Sequence, residues 1–225
     1  MQITASPAPT KLNIFLHISC RSDDGYHELQ TVFQFISLAD EIDFTLLDTD
    51  TIRRESELPG VAAEDDLVVR AAQKLKQASG YSKGAAIFVH KRIPEGGGLG
   101  GGSSDAATTL VALNRLWQTG LSVDELAALG LELGADVPVF VRGQAAWAEG
   151  VGEHLTPVDA AESCYLVIHP GCSVPTARIF NDDDLTRNTP AITIRDFLDG
   201  AGINDCEAVV RKRYIEVAEA LDWLS

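Results

Sequence analysis

The segment PEGGGLGGGSSDAA, residues 94–107, places six glycines in the seven positions 96–102. Glycine loses more backbone freedom on folding than any other residue, so such a run is costly to order. A folded chain keeps it where bare backbone is needed. A phosphate cradle is the first candidate, because main-chain N–H groups without Cβ atoms can close around an anion. The run follows the apolar stretch GAAIFVHKRI, a predicted strand. It precedes a predicted helix, beginning near Ser103, whose face carries Ala106, Leu110, Leu113 and Trp117. Trp117 is read as core. Flexible linkers are seldom flanked in this way, so a binding loop is the better reading.

Three phosphate-binding patterns compete. Gly97 and Gly102 have the spacing of a Walker A loop, but Ser103 stands where its lysine must be, and that pattern fails. Gly96, Gly98 and Gly101 match G-x-G-x-x-G, a match that is nearly automatic in so dense a run and lacks repeated βαβ units around it. The third is a strand, a glycine loop and a helix whose N-terminus faces the anion, with Ser103 and Ser104 offering hydroxyls.

Elsewhere, KLNIFLHI (11–18), LQTVFQFISL (29–38) and DEIDFTLLD (40–48) read as strands, with an Asp-Gly turn at Asp24 and Gly25. Leu67, Val68, Ala71, Ala72 and Leu75 recur at helical spacing, and Gly80 can end that helix. Ser122 and Glu125 form capping-box spacing for another, closing at Gly134. ADVPVFVRGQAAWAEGVGEHLTPV reads as strand and hairpin, CYLVIHPG as a buried strand, and the tail from Asp205 as one amphipathic helix.

Charge narrows the partners. With 33 acidic and 18 basic residues the net charge is −15, which argues against nucleic acid. No stretch approaches the roughly 20 apolar residues of a membrane span, and the first residues do not read as a secretory signal. Cys20, Cys164, Cys172 and Cys206 are scattered, with no C-x-x-C pair and no neighbouring His cluster. That arrangement argues against zinc and suits the reducing cytoplasm.

PEGGGLGGGSSDAA resembles the second motif of the GHMP kinases, the superfamily of homoserine, galacto-, mevalonate and phosphomevalonate kinases. SPAPTKLNIFLHI, DGYHELQTVFQFI, LGADVPVFVRGQAAWAEGVGE and NDCEAVVRKRY agree in order with the branch that acts on a cytidine-diphosphate-linked methylerythritol. The resemblance implies an α+β, two-lobed fold. Residues 1–158 would be a ribosomal-protein-S5-like N-terminal domain holding ATP and substrate, and 159–225 a ferredoxin-like C-terminal domain. The family continues past an EALDWL segment into a third glycine-containing motif, whereas this sequence ends at Ser225. The second domain is therefore expected to be incomplete and loosely packed.

The implied reaction is ATP-dependent phosphorylation of the substrate's 2-hydroxyl in the non-mevalonate isoprenoid route. The catalytic pair falls on Lys11 and Asp136, which individually would read as a solvated charge and a turn or cap residue. The nucleotide falls on Pro94, Glu95, Gly96, Gly97, Gly98, Leu99, Gly100, Gly101, Gly102, Ser103 and Ser104, with Asp66 near the base where the family commonly carries Asn. The substrate falls on Asn13, Tyr26, His27, Phe33, Thr176 and Phe180, with Tyr26 and His27 at the cytosine. Mg2+ is implied without assigned ligands, and a homodimer stays open. The alternatives are a GHMP kinase for another small alcohol, against which DGYH argues, and a silent nucleotide-binding fragment.

Overall fold

The computed structural model describes residues 1–21, 27–57, 61–62, 64–159 and 163–224. Its elements are β1 (Gln2–Arg21), β2 (His27–Leu47), β3 (Ile52–Arg54), α1 (Leu67–Ser79), β4 (Gly84–His90), α2 (Gly101–Trp117), α3 (Val123–Leu131), α4 (Val137–Arg142), β5 (Ala146–Glu149), β6 (His154–Pro157), α5 (Thr176–Phe180), α6 (Ile194–Leu198), α7 (Glu207–Arg213) and α8 (Ile215–Leu224). The chain divides into two compact units, one of Met1–Thr10, Ile36–Ile93 and Gly100–Gln144, the other of Lys11–Phe35, Pro94–Leu99 and Ala145–Ser225. β1 and β2, which pair, each contribute residues to both units.

In the first unit, β4 runs antiparallel to the C-terminal half of β2, Glu41↔His90 to Leu47↔Gly84, and parallel to β3, making a mixed sheet. Ile42, Phe44, Leu75, Ile87, Leu110, Leu113, Val137 and Val139 are buried there. Helices α1 to α4 pack on one another. Local chemistry sets their ends. The Asp66 carboxylate accepts the Val68 N–H at 2.8 Å to cap α1, and Gly80 at φ +67° stops it. Ser122 and Glu125 cap α3 reciprocally.

In the second unit, β2 pairs with β5 from Thr31↔Ala148 to Phe33↔Ala146, and β5 with β6 as a hairpin. Phe15, Val32 and Trp147 form one buried cluster, with Val158, Ile192, Ile194 and Phe197 against it. Ile18, Ile179, Leu185 and Val209 form another, with Val174, Phe180, Val210 and Tyr214 against it.

Four local expectations are corrected. VPVFVR is helix α4, because Pro138 suits a first helical turn and Val137, Val139, Phe140 and Val141 bury against α2 and α3. The two strands expected across 29–48 are one strand, since Asp40 between them caps the N–H groups of Arg92 and Ile93 instead of turning the chain. CYLVIHPG has no regular structure, with Leu166 69% exposed. Apolar content does not make a strand without a neighbour to complete its hydrogen bonds. The tail is two helices, because Tyr214 is extended (φ −131°, ψ 97°) and packs on the Ile18 and Val209 cluster. Among the described residues, no helix is long and apolar enough to cross a membrane.

Candidate active site

The glycines of the run do different work. Gly96, Gly98 and Gly100 all take left-handed backbone, at φ +70°, +71° and +73°, where side chains are disfavoured. Gly96 also seats a neighbouring segment: its carbonyl accepts the Val174 N–H at 3.1 Å, and a Cβ there would fall 2.0 Å from Ser173 Oγ. A Cβ on Gly97 would stand 3.2 Å from the His169 ring. Gly98 faces open space. Pro94 is half-buried, Glu95 is exposed, and Leu99 is buried.

Gly100 then opens α2 two residues earlier than expected, with no side-chain cap. The first intrahelical bond runs from the Ser104 N–H to the Gly100 carbonyl at 2.8 Å. The N–H groups of Gly101, Gly102 and Ser103 lie before it, at the positive end of a 17-residue helix. Ser104 Oγ is buried without a hydrogen-bond partner among the described residues. An uncapped helix start, bare backbone and an orphaned hydroxyl fit the phosphates of a nucleotide.

Asp136 lies in the same unit, on the turn before α4, where the Val137 N–H donates to the Gly134 carbonyl at 3.1 Å. A Cβ on Gly134 would be 3.9 Å from Ser103 Oγ, so this turn adjoins the start of α2. Asp136 occupies the cap position of α4, yet its carboxylate makes no cap bond. Asp66 caps α1 and pairs with Arg54 in a buried ion pair.

In the second unit Lys11 is 6% exposed, unlike a solvated lysine. Its ammonium donates to Asn13 Oδ1 at 2.5 Å and stands 5.1 Å from the centre of the Phe33 ring. Its backbone N–H donates to the Leu99 carbonyl at 3.1 Å, tying β1 to the glycine loop. Asn13 in turn donates to Thr31 Oγ1 at 2.9 Å, and Phe33 is buried. His27 and Phe180 meet edge to face with ring centres 5.3 Å apart, while Thr176 is exposed at the start of α5. Tyr26 lies outside the described residues.

Sequence reading missed a charged group at the root of α2. Lys91 donates to Asp40 at 2.5 Å and to Asp105 at 2.9 Å, and its Nζ would stand 3.5 Å from a Cβ on Gly101. Asp40 Oδ1 also accepts the Ile93 N–H at 2.8 Å, so the group joins the exit of β4 to the first turns of α2. Burial pushes the Asp105 carboxyl up to about 7, against the pull of the Lys91 ammonium. Burial works against the charge on Lys91, but Asp105 and Asp40 more than offset it and raise its pKa. Among the described residues, no three His, Cys, Asp or Glu side chains cluster to hold a metal ion.

Comparison with known proteins gives the family. Residues 66–144 match the GHMP kinases N terminal domain. The chain is 58% identical over 97% of its length to a 4-diphosphocytidyl-2-C-methyl-D-erythritol kinase of Pseudomonas aeruginosa, covering 78% of that protein. It is 60% identical to the enzyme of that name from Bordetella parapertussis, over 97% of this chain and 74% of that one. A crystal structure of 4-(cytidine 5'-diphospho)-2C-methyl-D-erythritol kinase superposes with a TM-score of 0.78 at 34% identity, over 98% of this chain and 81% of that one. A homoserine kinase from Cytophaga hutchinsonii shares the fold at TM-score 0.57 and 18% identity, over 88% of this chain and 63% of its own. The fold is that of the GHMP kinases, and the chain belongs to their 4-diphosphocytidyl-2-C-methyl-D-erythritol kinase family.

Proposed function

We propose that this chain phosphorylates the 2-hydroxyl of 4-diphosphocytidyl-2-C-methyl-D-erythritol at the expense of ATP, a step in the non-mevalonate route to isoprenoid precursors. The observation that carries the reading is the glycine-led start of α2, which has no side-chain cap and adjoins the turn that carries Asp136. Backbone N–H groups of Gly101, Gly102 and Ser103 hold the phosphates, with Ser104 Oγ as a further donor. The preceding part of the loop, Pro94 to Leu99, follows the phosphates, and Asp66 lies toward the base. ATP supplies the phosphoryl group. Asp136 takes the proton of the acceptor hydroxyl as its oxygen attacks phosphorus. Lys11, desolvated and held by Asn13, orients that carboxylate and offsets charge on the transferring oxygens. Mg2+ bound with the nucleotide would offset charge on the phosphate oxygens.

His27 and Phe180, with Tyr26, form the cytosine face; Asn13, Phe33 and Thr176 belong to the substrate side. Residues 1–158 constitute the N-terminal domain of the family and 159–225 part of its C-terminal domain. The four unpaired cysteines suit a cytoplasmic location. The test offers ATP with three acceptors in turn, the cytidine-linked methylerythritol, homoserine and mevalonate, and follows ADP release. Release with the cytidine-linked alcohol alone is expected. Equal release with homoserine, or release independent of acceptor, would overturn the substrate assignment.

A further inference from the structure

Arg187 has no place in the motifs above, yet its guanidinium makes four hydrogen bonds within the second unit. It stands in the stretch between α5 and α6, half-buried. Its Nε–H donates to His27 Nε2 at 3.0 Å, across 160 residues of sequence. Nη2 donates to the carbonyls of Phe180 at 2.9 Å and Asp182 at 2.8 Å, and Nη1 to that of Leu185 at 3.2 Å. One planar fork thus fixes four acceptors.

A guanidinium carries donors only, so the nitrogen that receives its N–H bears no proton. Accepting from Arg187 makes Nε2 of His27 the bare nitrogen and assigns the proton of the neutral ring to Nδ1. The same bond fixes which way round the ring sits, since turning the imidazole over would present carbon to the guanidinium. The bonds to Phe180, Asp182 and Leu185 close the chain just after α5 and hold the backbone that carries the Phe180 ring. His27 is 8% exposed and lies edge to face with Phe180, so the two rings share the constraint. Lysine has the charge without the fork and cannot serve four acceptors in one plane.

We propose that Arg187 is the positioning residue of the pyrimidine face, setting the tautomer and orientation of His27 and the backbone of Phe180, so that selectivity for a cytidine diphosphate rests on it. This rests on the substrate reading given under Proposed function. The experiment titrates CDP and ATP calorimetrically into the full chain as wild type, Arg187→Met, Arg187→Lys, His27→Ala and the Arg187→Met, His27→Ala double variant. Nitrogen-15 spectra of the imidazoles accompany it.

Arg187→Met and Arg187→Lys are expected to weaken CDP by about 10-fold or more, the scale of losing a charged hydrogen bond. ATP should stay within about twofold. Arg187→Met should cost much less in the His27→Ala background, because most of its effect passes through that ring. The wild-type spectrum should show the proton of His27 on Nδ1, and Arg187→Met should lose that preference. Additive losses, equal weakening of ATP, undiminished CDP binding, or a wild-type proton on Nε2 would each overturn the proposal. If Arg187→Met does not fold, Arg187→Lys and the wild-type spectrum decide. A wild type that binds no CDP would count against the cytidine reading, while the imidazole spectrum, which needs no ligand, still judges the Arg187 to His27 link.

Discussion

Replacing Gly102 by alanine separates the two reasons a glycine can stand in the run. Gly102 is the second residue of α2, exposed, and outside the left-handed region. A Cβ there would meet only Leu67 Cδ1, at an ordinary 3.5 Å. The fold therefore accepts the methyl, and the helix gains from it. Alanine is favoured over glycine within a helix by about 0.5–1 kcal/mol. In a chain of 225 residues that gain raises Tm by about 1–4 °C. The nucleotide meets the opposite effect. If phosphate lies against the backbone of Gly101 to Ser103, the methyl pushes it off at least one charge-assisted N–H bond, about 1.5–3 kcal/mol or at least about 10-fold in Kd. Thermal melting without ligand and calorimetry with ATP read the two signs. Gly96→Ala is the control: its Cβ would fall 2.0 Å from Ser173 Oγ at φ +70°, so it should lower Tm. A Gly102→Ala chain with raised Tm and unchanged ATP affinity would refute the phosphate site.

Asp136→Asn should leave ATP affinity within about twofold while lowering kcat by roughly 100-fold or more, the scale of a lost general base; near-normal kcat would show that another group takes the proton. Asp105 makes stability fall with pH, because the folded chain keeps its proton to about 7 while the unfolded chain releases it near the ordinary 3.8. Its contribution is complete below the lower value and lost as pH rises through the upper one. Carboxylates held low, such as Asp43 beside His90 and Asp182 beside Arg213, titrate beneath most of that window. Between pH 5 and 8, Tm of the wild type should drop more than that of Asp105→Asn, and identical slopes would contradict the assignment.

Features set by neighbours in sequence were legible. Gly80 ends α1 and Ser122 with Glu125 opens α3, because a left-handed stop and a capping box are chemistry of a few adjacent residues. The glycine run was legible as a loop before a helix, although packing reserves Gly96 and Gly97 for residues 169–173. VPVFVR misled because its apolar run is equally consistent with a strand, and only burial against α2 and α3 decides for a helix. Groups built across the chain left no spacing to read. Lys91 meets Asp40 over 51 positions and Arg187 meets His27 over 160. Motif resemblance named Lys11, but its burial over Phe33 is a product of the fold.

Phosphorus-31 spectra of the product, made from ATP and the cytidine-linked methylerythritol by the wild type, test the proposed reaction most directly. The 2-carbon bears a methyl group and no hydrogen, so a phosphate on its hydroxyl has no proton three bonds away. A new phosphomonoester singlet that stays unsplit without proton decoupling is the expected result, appearing roughly 100-fold more slowly with Asp136→Asn. A signal split by neighbouring carbon-bound protons would place the phosphate on another hydroxyl, and inorganic phosphate alone would mean that the chain hydrolyses ATP without transferring it.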